Sequence, residues 1–346
     1  MKRLQIGIIG AGRIGKVHAE SIAFGLPEAE IAAITDVNQE AARAVAERCG
    51  IESVAESSTE ILADPRVEAV LICSSTDTHA ALIEDAARAG KHIFCEKPIA
   101  HDLGKIDAAL AAVKMAGVKL QIGFNRRFDA NFARVRKAVE TGEVGSVRLM
   151  HIISRDPGPP PISYVKVSGG MFLDMTIHDF DMARFLMGDE VEEVYVAGGV
   201  MVDPEIGAAG DLDTAVIVLR FRNGAIGTID NCRQAAYGYD QRVEILGSLG
   251  KIATENVYPN QAVVSTGSEI RTDLPLNFFM DRYRESFAAE MRSFVAAVRE
   301  DRATAVTGED GRIPVVIGLA ARKSYDEGRP VKLAEIERGA LSQAGD

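Results

Sequence analysis

One stretch near the start of the chain decides its fold: Leu4-Gln5-Ile6-Gly7-Ile8-Ile9-Gly10-Ala11-Gly12-Arg13-Ile14-Gly15. The apolar run is typical of a buried strand, and the residues after Gly15 have the pattern of a helix. Gly10 permits a tight turn, Gly12 lets the backbone approach an anion, and Gly15 allows close packing of the helix. This order of strand, G-x-G-x-x-G and helix predicts a dinucleotide pyrophosphate at the helix N-terminus rather than a tight turn alone.

The same alternation of apolar runs and helical patterns continues to about residue 123. Several of the helical stretches end at a glycine that suits a helix C-terminus: Gly50, Gly90 and Gly117. Right-handed crossovers between successive strands then require a parallel, doubly wound sheet of the Rossmann type. The predicted strands are Leu4–Ile9, Ile31–Thr35, Ala69–Ile72, His92–Cys95 and Leu120–Gly123.

After Gly123 the pattern changes to a mixture of helices and alternating strands, which is typical of an α+β domain with an open, mainly antiparallel sheet. Predicted helices are Phe132–Glu140, one beginning around Asp174, Arg284–Val298 and Ile313–Lys323. Predicted strands are Val191–Val202, Thr214–Phe221, Ala225–Asn231, Gln241–Leu246 and Ala262–Ser265. We therefore predict a first domain at 1–123, a second at 124–334 and a polar tail at 335–346. The C-terminal helix and the end segment 330–333 could pack back on the first domain.

The composition narrows the class of protein and of partner. A chain of 346 residues suits two domains, and 47% apolar with 26% charged residues is ordinary for a soluble protein. No apolar run approaches the roughly 20 residues that span a bilayer. The net charge of −11 argues against nucleic acid, so we expect a small-molecule partner. Four scattered cysteines without metal-type spacing predict reduced thiols, no metal site and a cytoplasmic protein: Cys49, Cys73, Cys95 and Cys232.

Polar residues after the first strands predict the identity of the cofactor. Asp36 closes the second strand about 20 residues beyond the glycines, where a carboxylate accepts hydrogen bonds from ribose hydroxyls and repels a 2′-phosphate, which predicts NAD. Arg13, beside Ile14 in the loop, could stack on the adenine, offset that repulsion, or simply be an exposed arginine. Three hydroxyls follow the third strand, where they either line the ligand site or cap the next helix: Ser74, Ser75 and Thr76.

Further motifs point to a known family. They are Thr76-Asp77-Thr78-His79, Glu96-Lys97-Pro98, and Gly169-Gly170 with Asp174 and His178-Asp179 after it. Together with the glycine pattern and the carboxylate after the second strand, they closely resemble the Gfo/Idh/MocA oxidoreductase family over nearly the whole chain. The E-K-P and D-x-x-x-H elements are the most specific of these motifs.

The resemblance implies an NAD-dependent dehydrogenase and a set of site residues. Lys97 would hydrogen-bond the reacting oxygen and would also contact the cofactor. Glu96 would contact the cofactor, and His79 would contact the cofactor region or cap its helix. The resemblance also suggests a cis bond before Pro98. From the residues themselves, removal of hydride from a carbinol requires a base of near-neutral pKa for the hydroxyl proton, and His178 is the natural candidate. If residues 174–185 form one helix, Asp174 shares a face with His178 and could orient its imidazole or contact the substrate, although a purely structural histidine is the alternative.

Within the family, three segments are most similar to the bacterial inositol 2-dehydrogenases: Gly123–Asp129, Asp174–Asp179 and Tyr237–Asp240. The implied reaction is NAD-dependent oxidation of one ring hydroxyl of myo-inositol to the ketone. A dehydrogenase for scyllo-inositol or an aldose, or a reductase for a sugar ketone, is the alternative within the family. A non-catalytic NAD-binding regulator is the alternative from another class, and Lys97 together with His178 argues against it.

A polyol needs several hydrogen-bonding groups, because buried hydroxyls must be paired. The predicted substrate residues, besides Lys97 and His178, are Arg127, Asp156, Asp174, Thr176 and Tyr237. Arg127 and Tyr237 come from the resemblance, and an exposed arginine and a core aromatic are the alternatives. The segment Ser154-Arg155-Asp156-Pro157 departs from the His-Arg-Asn-Pro that relatives often have, which leaves the stereoisomer open. The Val- and Ile-rich second sheet predicts a homo-oligomer, and the resemblance points to a tetramer or a dimer.

Overall fold

The computed structural model describes residues 2–343, and these fall into two compact units. The first unit comprises the chain up to Phe128 together with Glu285–Val315. The second unit comprises Asp129–Arg284 and the chain from Val316 onward. The first unit thus extends past the predicted boundary at residue 123 to Phe128 and also includes a segment near the C-terminus. The end segment 330–333, expected to pack back on the first domain, lies in the second unit, where Val331 and Lys332 pair with Val194 and Glu193.

The first unit contains a five-stranded parallel sheet in the order β2-β1-β3-β4-β5. Its strands are β1 Leu4–Ile9, β2 Ala29–Thr35, β3 Ala69–Ile72, β4 His92–Glu96 and β5 Leu120–Gly123. Its helices up to this point are α1 Arg13–Gly25, α2 Gln39–Cys49, α3 Ser58–Ala63, α4 Thr76–Arg88 and α5 Leu103–Ala116, followed by a 3₁₀ turn at Asn125–Phe128. The order reverses between β1 and β3, and this is where open α/β sheets bind ligands. The predicted parallel, doubly wound fold is confirmed.

The strands of this sheet are mainly apolar because both faces of the sheet are covered. Ile6, Ile8 and Phe94 have no exposed surface. Gly50 and Gly117 end α2 and α5 in the left-handed conformation, with φ of +69° and +67°, as predicted for helix C-termini.

The second unit contains a seven-stranded sheet in the order β11-β10-β6-β9-β8-β7-β14. Its strands are β6 Val147–Arg155, β7 Val191–Gly199, β8 Thr214–Phe221, β9 Ile226–Cys232, β10 Asp240–Gly247, β11 Lys251–Thr254 and β14 Val331–Lys332, and a separate hairpin holds β12 Val263–Ser265 and β13 Ile270–Thr272. Neighbouring strands are antiparallel except β6 and β9, which run parallel. The predicted open, mainly antiparallel sheet is confirmed.

The remaining helices complete the chain. They are α6 Ala130–Glu140, α7 Ile162–Val165, α8 Gly170–Asp174, α9 Ile177–Met187, α10 Pro204–Ala208, α11 Phe279–Arg282, α12 Arg284–Arg299, α13 Gly308–Glu327 and α14 Leu333–Gln343. Met291, Phe294 and Val295 of α12 join the apolar core of the first unit. Sequence periodicity predicts this helix but cannot show which core its apolar face joins.

Three predictions about the second unit need correction. The central strand β6 was not predicted, because its charged and apolar residues alternate only weakly. The predicted strand at Ala262–Ser265 lies in the separate hairpin rather than in the main sheet. Residues 335–343 of the predicted polar tail are helical, since the Glu335 carboxylate accepts the Lys332 amide at 3.1 Å and so caps the start of α14. Residues 344–346 lie outside the described residues.

Among residues 2–343, no helix is both long and apolar enough to cross a membrane.

Candidate functional site

The glycine loop between β1 and α1 is shaped by close backbone contacts. Gly10 has φ of +106°, and a Cβ at this position would lie 2.5 Å from the Cys73 carbonyl carbon. A Cβ on Gly15 would collide with the Gly10 carbonyl oxygen. Around Gly12, by contrast, no described atom lies within 4 Å of where a Cβ would be. The loop is therefore packed tightly on one side and leaves the Gly12 backbone open on the other.

The amino end of α1 has a chemistry that suits an anion. Gly12 caps the helix without a side chain, and the described part of the first turn, which begins with Arg13 and Ile14, contains no acidic residue. The first backbone N–H groups of a helix have no partner within the helix and carry partial positive charge. An open glycine at this end leaves these groups to a ligand phosphate.

Asp36 is held at the end of β2, next to the glycine loop. Its Oδ2 accepts the Ala11 amide at 2.6 Å, and its Oδ1 accepts the Asn38 amide at 2.7 Å. The two bonds fix the plane of the carboxylate, whose remaining lone pairs are those a ribose diol requires. The structure thus brings the glycine loop and Asp36 together, as the sequence predicts for an adenosine site.

The β3–α4 loop lies along the same edge of the sheet. Ser75 is the N-cap of α4 and makes no side-chain capping bond, and Thr76 opens the helix. Ser74 Oγ lies 2.7 Å from Thr78 Oγ1, which in turn donates to the Ser75 carbonyl at 2.7 Å. The hydroxyls stabilise the loop among themselves, and side-chain capping by Ser75, one of the two expected roles, is not observed.

His79 braces this loop against the segment that carries Lys97. The imidazole is buried, its Nδ1 lies 2.8 Å from the Pro98 carbonyl oxygen, and its Nε2 lies 3.0 Å from the Ser74 carbonyl oxygen. Both ring nitrogens therefore face backbone acceptors. The Lys97–Pro98 peptide bond is cis, in agreement with the family resemblance.

Glu96 and Lys97 stand at the carboxyl end of β4, one strand from the β3–α4 loop. Glu96 Oε1 lies 2.7 Å from Nε2 of His18, a fully buried histidine of α1. A Cβ on Gly123 would lie 2.9 Å from Glu96 Oε2, so the carboxylate fills the space above this glycine. Two residues distant in sequence thus fix the side chain next to Lys97.

Arg127 lies in the 3₁₀ turn of the first unit and pairs with Asp310 at 2.9 Å. Burial alone would raise the pKa of the Asp310 carboxyl, but Arg127 and both the amide and the hydroxyl of Thr307 hold it below its ordinary value. Arg127 is mostly buried, so the alternative of a solvated surface arginine does not hold.

In the second unit, Asp174 and His178 do not share one helix, contrary to the prediction. Asp174 ends α8, and His178 lies in the first turn of α9. Between them the amides of Met175 and Thr176 both donate to the Met171 carbonyl, at 3.0 and 2.9 Å, which breaks the regular helical ladder. His178 is only partly buried, as is Asp174.

A buried polar network holds this break in place. The Thr176 hydroxyl donates to Asn231 Oδ1 at 2.6 Å, and Asn231 Nδ2 donates to Asp179 Oδ2 at 2.9 Å. Thr176 is fully buried. Its hydroxyl therefore supports the backbone between Asp174 and His178, and the structure does not favour the predicted direct contact with substrate.

Asp174 is held by two donors that the sequence did not predict. The Tyr164 hydroxyl donates to Asp174 Oδ1 at 2.9 Å, and Arg233 Nη1 donates to Asp174 Oδ2 at 3.4 Å. Asp156 is joined to the segment that carries Arg233, because its amide donates to the Cys232 carbonyl and its carbonyl accepts the Ala235 amide. The segment after β9 thus connects Asp156 and Asp174 within this unit.

Tyr237 belongs to the same segment and to a second polar cluster. Its hydroxyl donates to Asp240 Oδ2 at 2.6 Å and accepts from Arg155 Nη1 at 3.1 Å. Burial and the Asp240 carboxylate raise the pKa of Tyr237, and Arg155 opposes them. The phenol is more than a third exposed, so it is not a core aromatic, which was one of the alternatives.

Two family descriptions match the chain. Residues 4–124 match the oxidoreductase family with an NAD-binding Rossmann fold, and residues 132–253 match the GFO/IDH/MocA C-terminal domain. The chain belongs to the Gfo/Idh/MocA oxidoreductase family. The resemblance inferred from the motifs is confirmed, and this family member is an NAD-dependent dehydrogenase.

Named relatives of this Gfo/Idh/MocA protein match it over almost their full length. Myo-inositol 2-dehydrogenase of Thermotoga maritima is 49% identical over 96% of this chain and 99% of its own. Inositol 2-dehydrogenase of Rhizobium meliloti is 45% identical over 96% of this chain and 99% of its own. The crystal structure of scyllo-inositol dehydrogenase from Lactobacillus casei, with bound NAD(H) and scyllo-inositol, has a TM-score of 0.90, 30% identity and coverage of 96% and 100%.

The residues of this Gfo/Idh/MocA protein fit NAD, the predicted cofactor. The open backbone at Gly12 and the amino end of α1 suit a pyrophosphate, and Asp36 suits an adenosine ribose without a 2′-phosphate. In the described residues, His, Cys, Asp and Glu side chains form no group of three that could hold a metal ion.

Sequence reasoning missed three residues that hold predicted site residues of this Gfo/Idh/MocA enzyme: His18, Tyr164 and Arg233. His18 and Arg233 act on residues 78 and 59 positions away, and Tyr164 acts on Asp174 from a different helix, so neither spacing nor motif indicates them. The only signal for Arg233 is a charge at the end of an apolar strand, and such charges are usually solvated.

Proposed function

We propose that this enzyme oxidises one ring secondary alcohol of myo-inositol to the corresponding ketone with NAD⁺. The inositol assignment is carried by the high identity to myo-inositol 2-dehydrogenase over nearly the whole of both chains. The polar surroundings of Asp174 support it, since a carboxylate held by Tyr164 and Arg233 is suited to a hydroxylated ring.

The proposed roles follow from the chemistry of the carbinol. NAD⁺, when bound, supplies the acceptor for the hydride that leaves the ring carbon with both bonding electrons. Lys97 donates a hydrogen bond to the reacting oxygen and stabilises the negative charge that develops there. His178 takes the hydroxyl proton as general base, and Asp174 supports the imidazole and the substrate.

The remaining predicted residues divide between cofactor and substrate. Besides Lys97, we assign to NAD the glycine loop, with Gly10, Gly12, Arg13, Ile14 and Gly15, and the residues Asp36, Ser74, Ser75, Thr76 and Glu96. His79 supports the cofactor residues indirectly, because its Nδ1 lies within hydrogen-bond distance of the carbonyl oxygen of Pro98, the residue after Lys97. Arg127 donates to the ring hydroxyls, Asp156 accepts from them and Tyr237 does both. Thr176 supports the break between Asp174 and His178.

Scyllo-inositol is a second candidate substrate, because a relative of the same fold has this isomer bound. Steady-state kinetics over a panel of inositols, aldoses and their ketones, with NAD⁺ and NADP⁺ separately, distinguishes the two. We expect the highest kcat/KM for myo-inositol with NAD⁺. A higher value for scyllo-inositol would reassign the substrate, and no turnover of any inositol would refute the proposal.

A further inference from the structure

A buried arginine stands between two carboxylates of the second unit. Arg233 follows β9, and only 1% of its side chain is exposed. Its Nη1 donates to Asp174 Oδ2 at 3.4 Å, and its Nη2 lies 3.7 Å from Asp211 Oδ2. A guanidinium this deeply buried is costly unless carboxylates compensate it, so the three charges form one unit.

The two carboxylates hold opposite ends of the short helix α8. Asp211 accepts the Met171 amide in the first turn with both oxygens, at 3.1 and 3.0 Å. Gly170 makes this approach possible, since its φ is +76° and a Cβ there would lie 2.8 Å from Asp211 Oδ1. Asp174 is the last residue of the same helix. Arg233 therefore ties the start of α8 to its end.

Removal of the guanidinium would leave Asp174 and Asp211 as two neighbouring negative charges with little water to screen them. Arg233 and Tyr164 donate to different oxygens of the Asp174 carboxylate. The tyrosine hydroxyl occupies Oδ1 and the guanidinium occupies Oδ2, which fixes both the position and the plane of the carboxylate. The backbone of Arg233 is itself anchored, because its amide donates to the Asp213 carbonyl at 2.8 Å.

We propose that Arg233 is a positioning residue for the dehydrogenase reaction: it acts through Asp174, whose carboxylate it holds in the orientation that catalysis requires. This inference rests on the proposed role of Asp174. It assigns a function to a residue that no motif of the chain indicates, and it explains why a cation is buried at the end of β9.

The test compares variants on whichever polyol of the panel the wild-type enzyme oxidises fastest with NAD⁺. Arg233→Met keeps an unbranched apolar stem of similar length to the arginine's aliphatic part and removes the guanidinium with its charge. We expect kcat to fall by about 10²-fold, the order of loss for a misplaced catalytic group, while the KM for the polyol changes little. Arg233→Lys should recover part of kcat, because one ammonium restores the charge but cannot bond to both carboxylates.

A double-variant cycle separates positioning from a structural role. If Arg233 acts through Asp174, the variant carrying both Arg233→Met and Asp174→Asn is no slower than Asp174→Asn alone. Multiplied losses would overturn the proposal, as would an unchanged kcat in folded Arg233→Met. Arg282→Met is the matched control, because this arginine is also buried and pairs with Asp129 in the same unit. It should lower the melting temperature and leave kcat within about threefold of wild type.

A second variant and a structural measurement test the same contact without relying on Arg233→Met turnover. If Arg233→Met does not fold, the same cycle is run with Arg233→Lys. A crystal structure of the folded variant provides a readout without turnover: the Tyr164 hydroxyl and Asp174 Oδ1 should no longer be within hydrogen-bond distance, and an unmoved carboxylate contradicts the proposal. Full turnover by Asp174→Asn would instead remove Asp174 from the proposed mechanism, and the positioning role of Arg233 with it.

Discussion

Glu96 is next to Lys97 in the sequence, yet its carboxylate is fixed by residues distant in the chain. His18 binds one carboxylate oxygen, and Gly123 leaves room for the other. The backbone at Gly123 does not require glycine, because its φ lies outside the left-handed region. Side-chain space rather than backbone conformation therefore explains this glycine, and a substitution here tests the contact with Glu96 directly.

Gly123→Ala should displace the Glu96 carboxylate, because its Cβ would lie 2.9 Å from Oε2. We expect a loss of about 1 kcal/mol in the free energy of unfolding, at the low end for overpacking because the displaced atoms are the end of a side chain, and a raised KM for NAD⁺. Urea unfolding and kinetics measure the two effects. Gly25→Ala is the control, since no described atom lies within 4 Å of its Cβ position. Equal stability of both variants would contradict the contact.

Lys97→Ala should lower kcat by about 10²-fold or more, because it removes the group that stabilises charge on the reacting oxygen. Turnover at saturating NAD⁺ and polyol is the measurement. Lys105→Ala serves as the control, since this lysine lies on the exposed side of α5. A Lys97→Ala enzyme with wild-type turnover would exclude Lys97 from the mechanism.

At the scale of elements, the start of α13 combines a helix cap with an ion pair. The Thr307 hydroxyl accepts the Asp310 amide at 3.2 Å, and the Asp310 carboxylate accepts the Thr307 amide at 2.9 Å. This is a reciprocal capping box, and the same carboxylate also pairs with Arg127. The charge of Asp310 therefore contributes to stability in a way that depends on pH.

Asp310→Asn should reveal that dependence. The folded pKa of Asp310 lies below its ordinary value of 3.8, so its contribution is fully present above about pH 5 and is lost as pH falls through the folded pKa. We expect the free energy of unfolding of wild type to exceed that of the variant by about 1 kcal/mol at neutral pH, and this difference should vanish in acid. Glu309→Gln is the control, an exposed neighbour that loses the same charge. Urea unfolding between pH 2.5 and 7 measures the difference, and a pH-independent gap would contradict the ion pair.

Sequence pattern predicted every strand of the first sheet because a sheet covered on both faces makes each strand mainly apolar. It failed where a distant residue decides a local structure. The pattern near Asp174 predicts one helix, and the break at Thr176 depends on Asn231, 55 residues away. The same limit applies to the site: glycine spacing indicates the cofactor loop, but nothing local indicates that Arg233 is buried beside Asp174.

For the whole molecule, periodicity could not assign segments to units. Arg284–Val298 is predicted as a helix, and in the structure this helix joins the first unit through Met291 and Phe294, whose partners include residues near the start of the chain. Helical spacing identifies the apolar face of a helix, but only the folded chain shows which residues pack against that face. The outward face of the second sheet also has exposed apolar side chains, and the sequence does not show what covers them.

That face carries exposed apolar side chains, which is why a homo-oligomer is expected, whereas the number of four chains comes from the family resemblance. Val216 and Val218 on β8 are 49% and 36% exposed, and Tyr195, the partner of Val218 in register, is 39% exposed. An apolar sheet face of this kind needs cover, and we propose that further copies of this chain provide it in a homotetramer. Val218→Lys would place charges in that interface, so we expect sedimentation velocity to show four chains for wild type and fewer for the variant. Met115→Lys, on exposed α5, should leave the mass unchanged. A monomeric wild type, or a tetrameric Val218→Lys, would show that this face is not the interface.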